Sequence, residues 1–187
     1  MSLRCIVLVA LVCVMSSAAG ANPALWSKLD EPGYFAIMRH ATAPGTGDPD
    51  NFRIGDCSTQ RNLNDTGRAE AAAIGQAAKA GGLDKARIYS SQWCRCLETA
   101  RGLALGPVRE LPALNSFYQR YETRDGNLKA LRAFIAENAG VAEPIILVTH
   151  QVTINALTGT YTRQGETVIF RHTGNGGTEV VGTIPPG

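Results

Sequence analysis

Gly33-Tyr34-Phe35-Ala36-Ile37-Met38-Arg39-His40 and, in the second half of the chain, Pro144-Ile145-Ile146-Leu147-Val148-Thr149-His150 are the two stretches on which the fold turns. Each is a short apolar run, opened by Gly or Pro and closed by a histidine. Consecutive apolar residues over that length read as strands buried on both faces, as in parallel sheets. Open α/β sheets bind ligands in the crevice at the carboxyl ends of such strands. Both histidines, and Arg39 beside the first, are therefore expected at one crevice. Arginine presents a planar fork of donors suited to phosphate or carboxylate. Histidine near neutral pH serves as a neutral nucleophile or a charged donor. The combination points to a site that handles phosphate.

Working outward, strand and helix alternate. After the first strand a loop over residues 41–63 is rich in Gly, Pro, Asp and Asn, and loops of that length in a compact domain are usually functional. Asn64 is placed as an N-cap with Asp65 in the first turn. Ala69, Ala73, Ala77 and Ala80 recur at helical spacing with Ile74 beside them, so these alanines are expected to lie against the sheet, and Gly81-Gly82 ends the helix. Arg87-Ile88-Tyr89 reads as a second strand, with Ser90-Ser91 capping a helix from about Trp93 to Leu105. Gly106-Pro107 stops that helix, and residues 108–111 form a third strand. An irregular segment, 112–126, carries Phe117, Tyr118 and Tyr121. Leu128, Leu131, Phe134 and Ile135 then mark the apolar face of a helix. A short helix over 152–157 follows the second buried strand, and strands near 167–171 and 179–184 close the chain. This alternation predicts an α/β fold, a three-layer α/β/α sandwich with a mostly parallel central sheet.

The chain has 187 residues. Arg4, an apolar core over 5–15 and the ending Ala19-Gly20-Ala21 predict a secretory signal peptide, residues 1–21, cleaved after Ala21. The core is too short to span a bilayer, which takes about 20 residues. Residues 22–187 are then a single domain, periplasmic or secreted, without a membrane attachment once the signal is removed. The 18 Lys and Arg nearly balance the 16 Asp and Glu. With no basic tail, helix face or strand, the chain offers no surface for nucleic acid. An oxidising compartment permits a disulfide, expected to join Cys57 to Cys94 or to Cys96. Of the five cysteines, the three in residues 22–187, with scattered histidines, do not make a metal site.

Three strand-to-helix junctions collect polar groups of one kind: Arg39 and His40 at the first, Ser91 and Arg95 at the second, His150 and Gln151 at the last. Arg95 falls in the first turn of its helix, where the macrodipole opposes a cation by a few tenths of a kcal/mol. An anionic ligand would relieve that conflict.

Four blocks, in order, then resemble the histidine phosphatase superfamily, in its phosphoglycerate mutase-like branch. They are Met38-Arg39-His40-Ala41, the run from Asn62 to Ala71, the run from Tyr89 to Ala100, and Val148-Thr149-His150. The family more often has glycine where Ala41 stands. The resemblance implies a phosphoglycerate mutase-like fold, with His40 as the nucleophile that carries a transient phosphohistidine. It also implies that Arg39, Arg95 and His150 surround the transferring group; Gln151, at the same junction as His150, is expected beside the substrate. No metal and no cofactor is implied, since the cationic side chains supply the charge. One part of the family pattern is missing. The acid that follows the third strand aligns with Ser116, and the aspartate that another branch places after its second histidine is Gln151 here. Asp48, Asp56, Glu110 and Glu122 are the alternatives as proton donor, Asp48 and Asp56 favoured by their place on the long loop.

The expected function is therefore hydrolysis of a phosphomonoester through phosphorylated His40 in an extracytoplasmic compartment. The expected substrate is a phosphorylated small molecule or glycolipid. Alternatives are a phosphohistidine or phosphoprotein phosphatase, or a phosphate-binding relative that has lost its proton donor. Mutase chemistry fits an exported protein least, because its phosphorylated sugar acids belong to the cytoplasm.

Overall fold

The computed structural model describes residues 24–186, so the signal peptide expected over residues 1–21 lies outside the described residues. A short helix α1 (Ala24–Ser27) leads into β1 (Tyr34–Arg39), and α2 (Asp65–Ala80) follows the long loop. Then come β2 (Arg87–Ser90), α3 (Cys94–Gly102), β3 (Val108–Glu110), α4 (Arg124–Asn138), β4 (Ile145–Thr149), α5 (Gln151–Thr158), β5 (Thr167–Thr173) and β6 (Gly177–Ile184). The strands form one sheet in the order β3-β2-β4-β1-β5-β6. β1, β2, β3 and β4 run parallel, while β5 runs antiparallel to both its neighbours, β1 and β6. Among the described residues no helix is long and apolar enough to cross a membrane.

Alternation along the strands sorts the core into two layers. Ala36, Met38, Ile88, Ile146 and Val148 pack with Ile74 and Ala78 of α2 and with Cys96 and Ala100 of α3. Phe35, Ile37, Tyr89, Ile145 and Leu147 face the other way, onto Leu131 and Ile135 of α4 and Ile154 and Leu157 of α5. Both faces are covered, which is why β1 and β4 read as unbroken apolar runs rather than alternating ones. The helix after β1 goes to one face and the helix after β4, its neighbour, goes to the other. The connections diverge there and leave the crevice that such a switch point makes.

Two helix readings are corrected. In α2 the buried residues are Gly67, Ala71, Ile74, Gly75 and Ala78, whereas Ala69, Ala73, Ala77 and Ala80 are exposed. The helix sits so close to its neighbours that two positions admit no side chain. A Cβ at Gly67 would stand 2.1 Å from the Thr42 carbonyl oxygen, and one at Gly75 2.1 Å from that of Leu103. At α3 the cap residue is Trp93, without a side-chain cap bond. Ser90 and Ser91 lie before it, and the Ser90 hydroxyl donates instead to the Ser91 carbonyl. Asn64 does cap α2, its Oδ1 accepting from the Gly67 N–H at 2.8 Å.

Candidate active site

The register of the central strands places the two histidines side by side. β1 and β4 pair with Ala36 opposite Ile146 and Arg39 opposite Thr149, so the next pair is His40 and His150. Both share the face of Met38 and Val148, two residues back along each strand. Their ring centroids are 5.7 Å apart, edge to face. The His40 backbone is held on both sides: its N–H donates to the Thr149 carbonyl, and its carbonyl accepts from the Gly165 N–H. Next along, the Ala41 N–H donates to Thr99 Oγ1, itself bound to the Arg95 carbonyl.

His40 Nδ1 lies 2.8 Å from the Ala41 carbonyl oxygen. A carbonyl only accepts, so Nδ1 carries the proton and Nε2 keeps its lone pair. Burial, with the charges of Arg95, Arg61 and Arg39, pushes the His40 pKa down to about 3, against a smaller opposing effect of the Ala41 bond. The imidazole is neutral at physiological pH, as a nitrogen nucleophile must be.

His150 is oriented by a relay. Asn115 Oδ1 accepts from the Gln92 N–H, and its Nδ2 donates to Gln92 Oε1, which fixes the amide. The Ser91 hydroxyl then donates to Asn115 Oδ1 at 3.2 Å and accepts from His150 Nε2 at 2.8 Å. That assignment places the neutral ring's proton on Nε2. Burial, then the charges of Arg95 and of His40, hold the His150 pKa well below its ordinary value. Trp93 packs edge-on against the ring at 5.2 Å. Cys96 lies 3.5 Å from Nε2, its thiol pushed up to about 12 chiefly by burial.

The arginines converge on the same place. A cavity of about 190 Å³ is lined by Arg39, His40, Arg61, Arg95, His150 and Gln151, together with Asp48, Ser116 and Tyr118. Arg39 Nη1 donates to the Thr162 carbonyl at 3.0 Å, and Gln151 Oε1 accepts from the Thr162 N–H and hydroxyl. Arg39 Nε, Arg95 Nε and Gln151 Nε2 are buried and find no acceptor within the protein. Leaving such donors unpaired costs on the order of 1–3 kcal/mol each.

Asp48 pairs with Arg95. Its carboxylate takes Nη1 at 2.7 Å and Nη2 at 3.1 Å, with side chains only 6% and 4% exposed. Trp93 Nε1 and the Arg61 N–H also donate to it. Desolvation raises the Asp48 pKa, but these bonds and the Arg95 charge outweigh it, so the carboxyl titrates below the usual range. Asp48 and the Arg61 carbonyl thus hold the Nη1 and Nη2 end of the guanidinium, while Nε has no acceptor within the protein.

Of the residues expected at the site, Arg39, His40, Arg95, His150, Gln151 and Asp48 are brought together. Asp56 and Glu110 are not. Asp56 binds Ser58 on the loop surface, and Glu110 accepts from Gln92 Nε2 at an exposed position. Glu122 does not line the cavity either. The disulfide left open between two partners joins Cys57 to Cys94, and Cys96 is a buried free thiol. Arg61, Asn115 and Thr99 were not anticipated. Arg61 braces the loop through the Ala43 and Gly47 carbonyls, and its basic side chain just before the helix cap was the one signal in the sequence. Among the described residues no group of three or more His, Cys, Asp or Glu is placed to hold a metal ion.

Comparison with known proteins bears on the family and the fold. The family described as histidine phosphatase superfamily (branch 1) matches residues 35–127. No curated protein matches the chain in sequence. Among solved structures, the protein histidine phosphatase SixA complexed with tungstate superposes with a TM-score of 0.60 at 15% identity, over 82% of this chain and 97% of that one. The putative phosphohistidine phosphatase SixA from Agrobacterium tumefaciens gives 0.55 at 20% identity, over 84% and 100%. The mycobacterial glucosyl-3-phosphoglycerate phosphatase with VO3 gives 0.55 at 14% identity, over 81% and 99%.

Proposed function

Because the chain belongs to the histidine phosphatase superfamily, we propose that it hydrolyses a phosphomonoester through a phosphohistidine on His40. The observation that carries this is the neutral, buried His40, its Nδ1 proton committed to Ala41, in one cavity with Arg39, Arg95 and His150. The Nε2 lone pair forms a bond to phosphorus as the bond to the leaving oxygen breaks. Water then attacks phosphorus as the P–N bond breaks, its proton passing to a phosphate oxygen or to solvent, and Nε2 regains its pair. The unpaired donors of Arg39 and Arg95 match phosphoryl oxygens, and positioning with charge stabilisation dominates such transfers. Hydrolysis of p-nitrophenyl phosphate tests the reading. His40→Ala is expected to lower turnover by on the order of 10⁴-fold or more with the fold intact by circular dichroism. Turnover that survives the substitution would remove His40 as nucleophile. Micromolar phosphate binding without any turnover would instead favour a binding protein.

A phosphohistidine substrate is the second reading, supported by the likeness in fold to the protein histidine phosphatase. We further place the protein outside the cytoplasm, acting on a phosphorylated small molecule or glycolipid. The leader-like residues 1–21 and the Cys57–Cys94 disulfide support that address. N-terminal sequencing of the protein recovered from a bacterial periplasm should begin at Asn22. An intact Met1 on cytoplasmic protein would overturn it.

A further inference from the structure

We infer that this enzyme acts on phosphoryl groups whose leaving group departs without a proton from the protein: phenols, carboxylates or phosphoric anhydride oxygens, rather than simple alcohols. The inference rests on the phosphatase reading above and concerns the other end of the scissile bond. Among the described residues that line the cavity, Asp48 is the one carboxyl. Four bonds hold it, two from the Arg95 guanidinium, one from the Trp93 indole and one from the Arg61 backbone. Every partner is a donor, which is the surrounding of an ionised carboxylate and not of one poised to give up a proton.

The remaining groups are no better placed. Ser116, where the resemblance would put the acid, carries only a hydroxyl, which accepts from the Tyr118 N–H. Gln151 presents an amide that can donate a hydrogen bond but cannot release a proton, and its orientation is fixed by Thr162. The Nε2 proton of His150 is engaged by Ser91. Tyr118 is 60% exposed at the cavity mouth. In the transfer step the electron pair of the breaking P–O bond therefore leaves with the oxygen as an anion, which takes its proton from solvent. Asp48 becomes a positioning residue. It holds one edge of Arg95 and so aims the Nε edge at the phosphoryl oxygens.

The experiment is a series of kcat/KM values for 2,4-dinitrophenyl, 4-nitrophenyl, phenyl and methyl phosphate, in wild type and Asp48→Asn. In wild type the values should fall steadily with leaving-group basicity, because the ~10²–10⁴-fold help of a general acid is missing for the basic members. Asp48→Asn should lower every substrate by a common factor and leave the slope unchanged. Phenyl and methyl phosphate turned over within a few-fold of the dinitrophenyl ester would overturn the inference alone. So would an Asp48→Asn loss that grows with leaving-group basicity, which would make Asp48 the donor. If Asp48→Asn does not fold, the wild-type series decides by itself. Failure to turn over even the dinitrophenyl ester would take down the phosphatase reading and this inference with it.

Discussion

The two halves of the proposed anion site are held by different means. Arg39, His40 and His150 sit at the ends of β1 and β4, where strand pairing, the Thr149 and Gly165 backbone bonds and a core on both faces fix them. Arg95 lies on the first turn of α3 and is held by a loop. Asp48 and the Arg61 carbonyl grip its guanidinium, Gln60 Oε1 accepts from the Cys94 N–H, and Cys57–Cys94 ties loop to helix. The proposed nucleophile is thus set by the sheet, while the cation proposed to match the phosphoryl oxygens depends on contacts from a segment with little regular structure. A side chain placed by the core is hard to dislodge. One placed by a loop is as good as the loop's anchors.

Removing the covalent anchor should separate the halves most clearly. In a Cys57→Ser, Cys94→Ser double variant, stability should fall by ~2–4 kcal/mol, because the bridge closes a loop with a sequence separation of 37. A displaced Arg95 should cost about 10²-fold in kcat/KM, while His40 keeps its ability to be phosphorylated. Urea unfolding and steady-state kinetics measure both. Unchanged kcat/KM in the less stable variant would mean that the loop's polar contacts suffice to aim Arg95.

The sheet-held half has its own signature in acid. His40, pushed down to about 3, and His150, held well below its ordinary value, stay neutral in the native state, whereas in the unfolded chain both protonate below about 6.5. The unfolded state binds more protons in that window, so stability is fully present above pH ~6.5 and is lost as pH falls toward about 3. Each histidine should contribute about 1.4 kcal/mol per pH unit. His150→Gln should roughly halve the slope measured by urea midpoints between neutral pH and pH ~5. An unaltered slope would place the acid sensitivity elsewhere.

The smallest effect expected is at the far end of the loop. Asn64→Ala removes the α2 cap and should cost about 1 kcal/mol, with kcat/KM within a few-fold of wild type. A large kinetic loss would show that the cap also sets the loop that carries Arg61.

The same division explains what could be read in the sequence. His40 and His150 were legible because an apolar run that ends abruptly in a polar residue is a local signal, and parallel strands carry it to one edge. The α/β alternation, Asn64 as cap and the polar junctions were legible for the same reason. Asp48–Arg95 and the Asn115–Ser91–His150 relay were not. Their partners lie far apart in the chain, and asparagine or aspartate in a loop looks the same whether it faces solvent or a guanidinium. The buried face of α2 is not legible in the sequence because its apolar positions, Ile74 aside, are all alanine or glycine. The closest packing falls at Gly67 and Gly75, where a side chain is excluded, and a stripe of alanines gives no contrast against that.

The central claim is that His40 Nε2 becomes bonded to phosphorus. Rapid quenching of wild type during turnover of 2,4-dinitrophenyl phosphate, followed by peptide mass spectrometry under conditions that preserve phosphoramidates, tests it most directly. The account predicts one added phosphoryl group on the peptide that contains His40, absent from His40→Ala. A phosphoryl group on another residue, or catalytic turnover undiminished in His40→Ala, would contradict it.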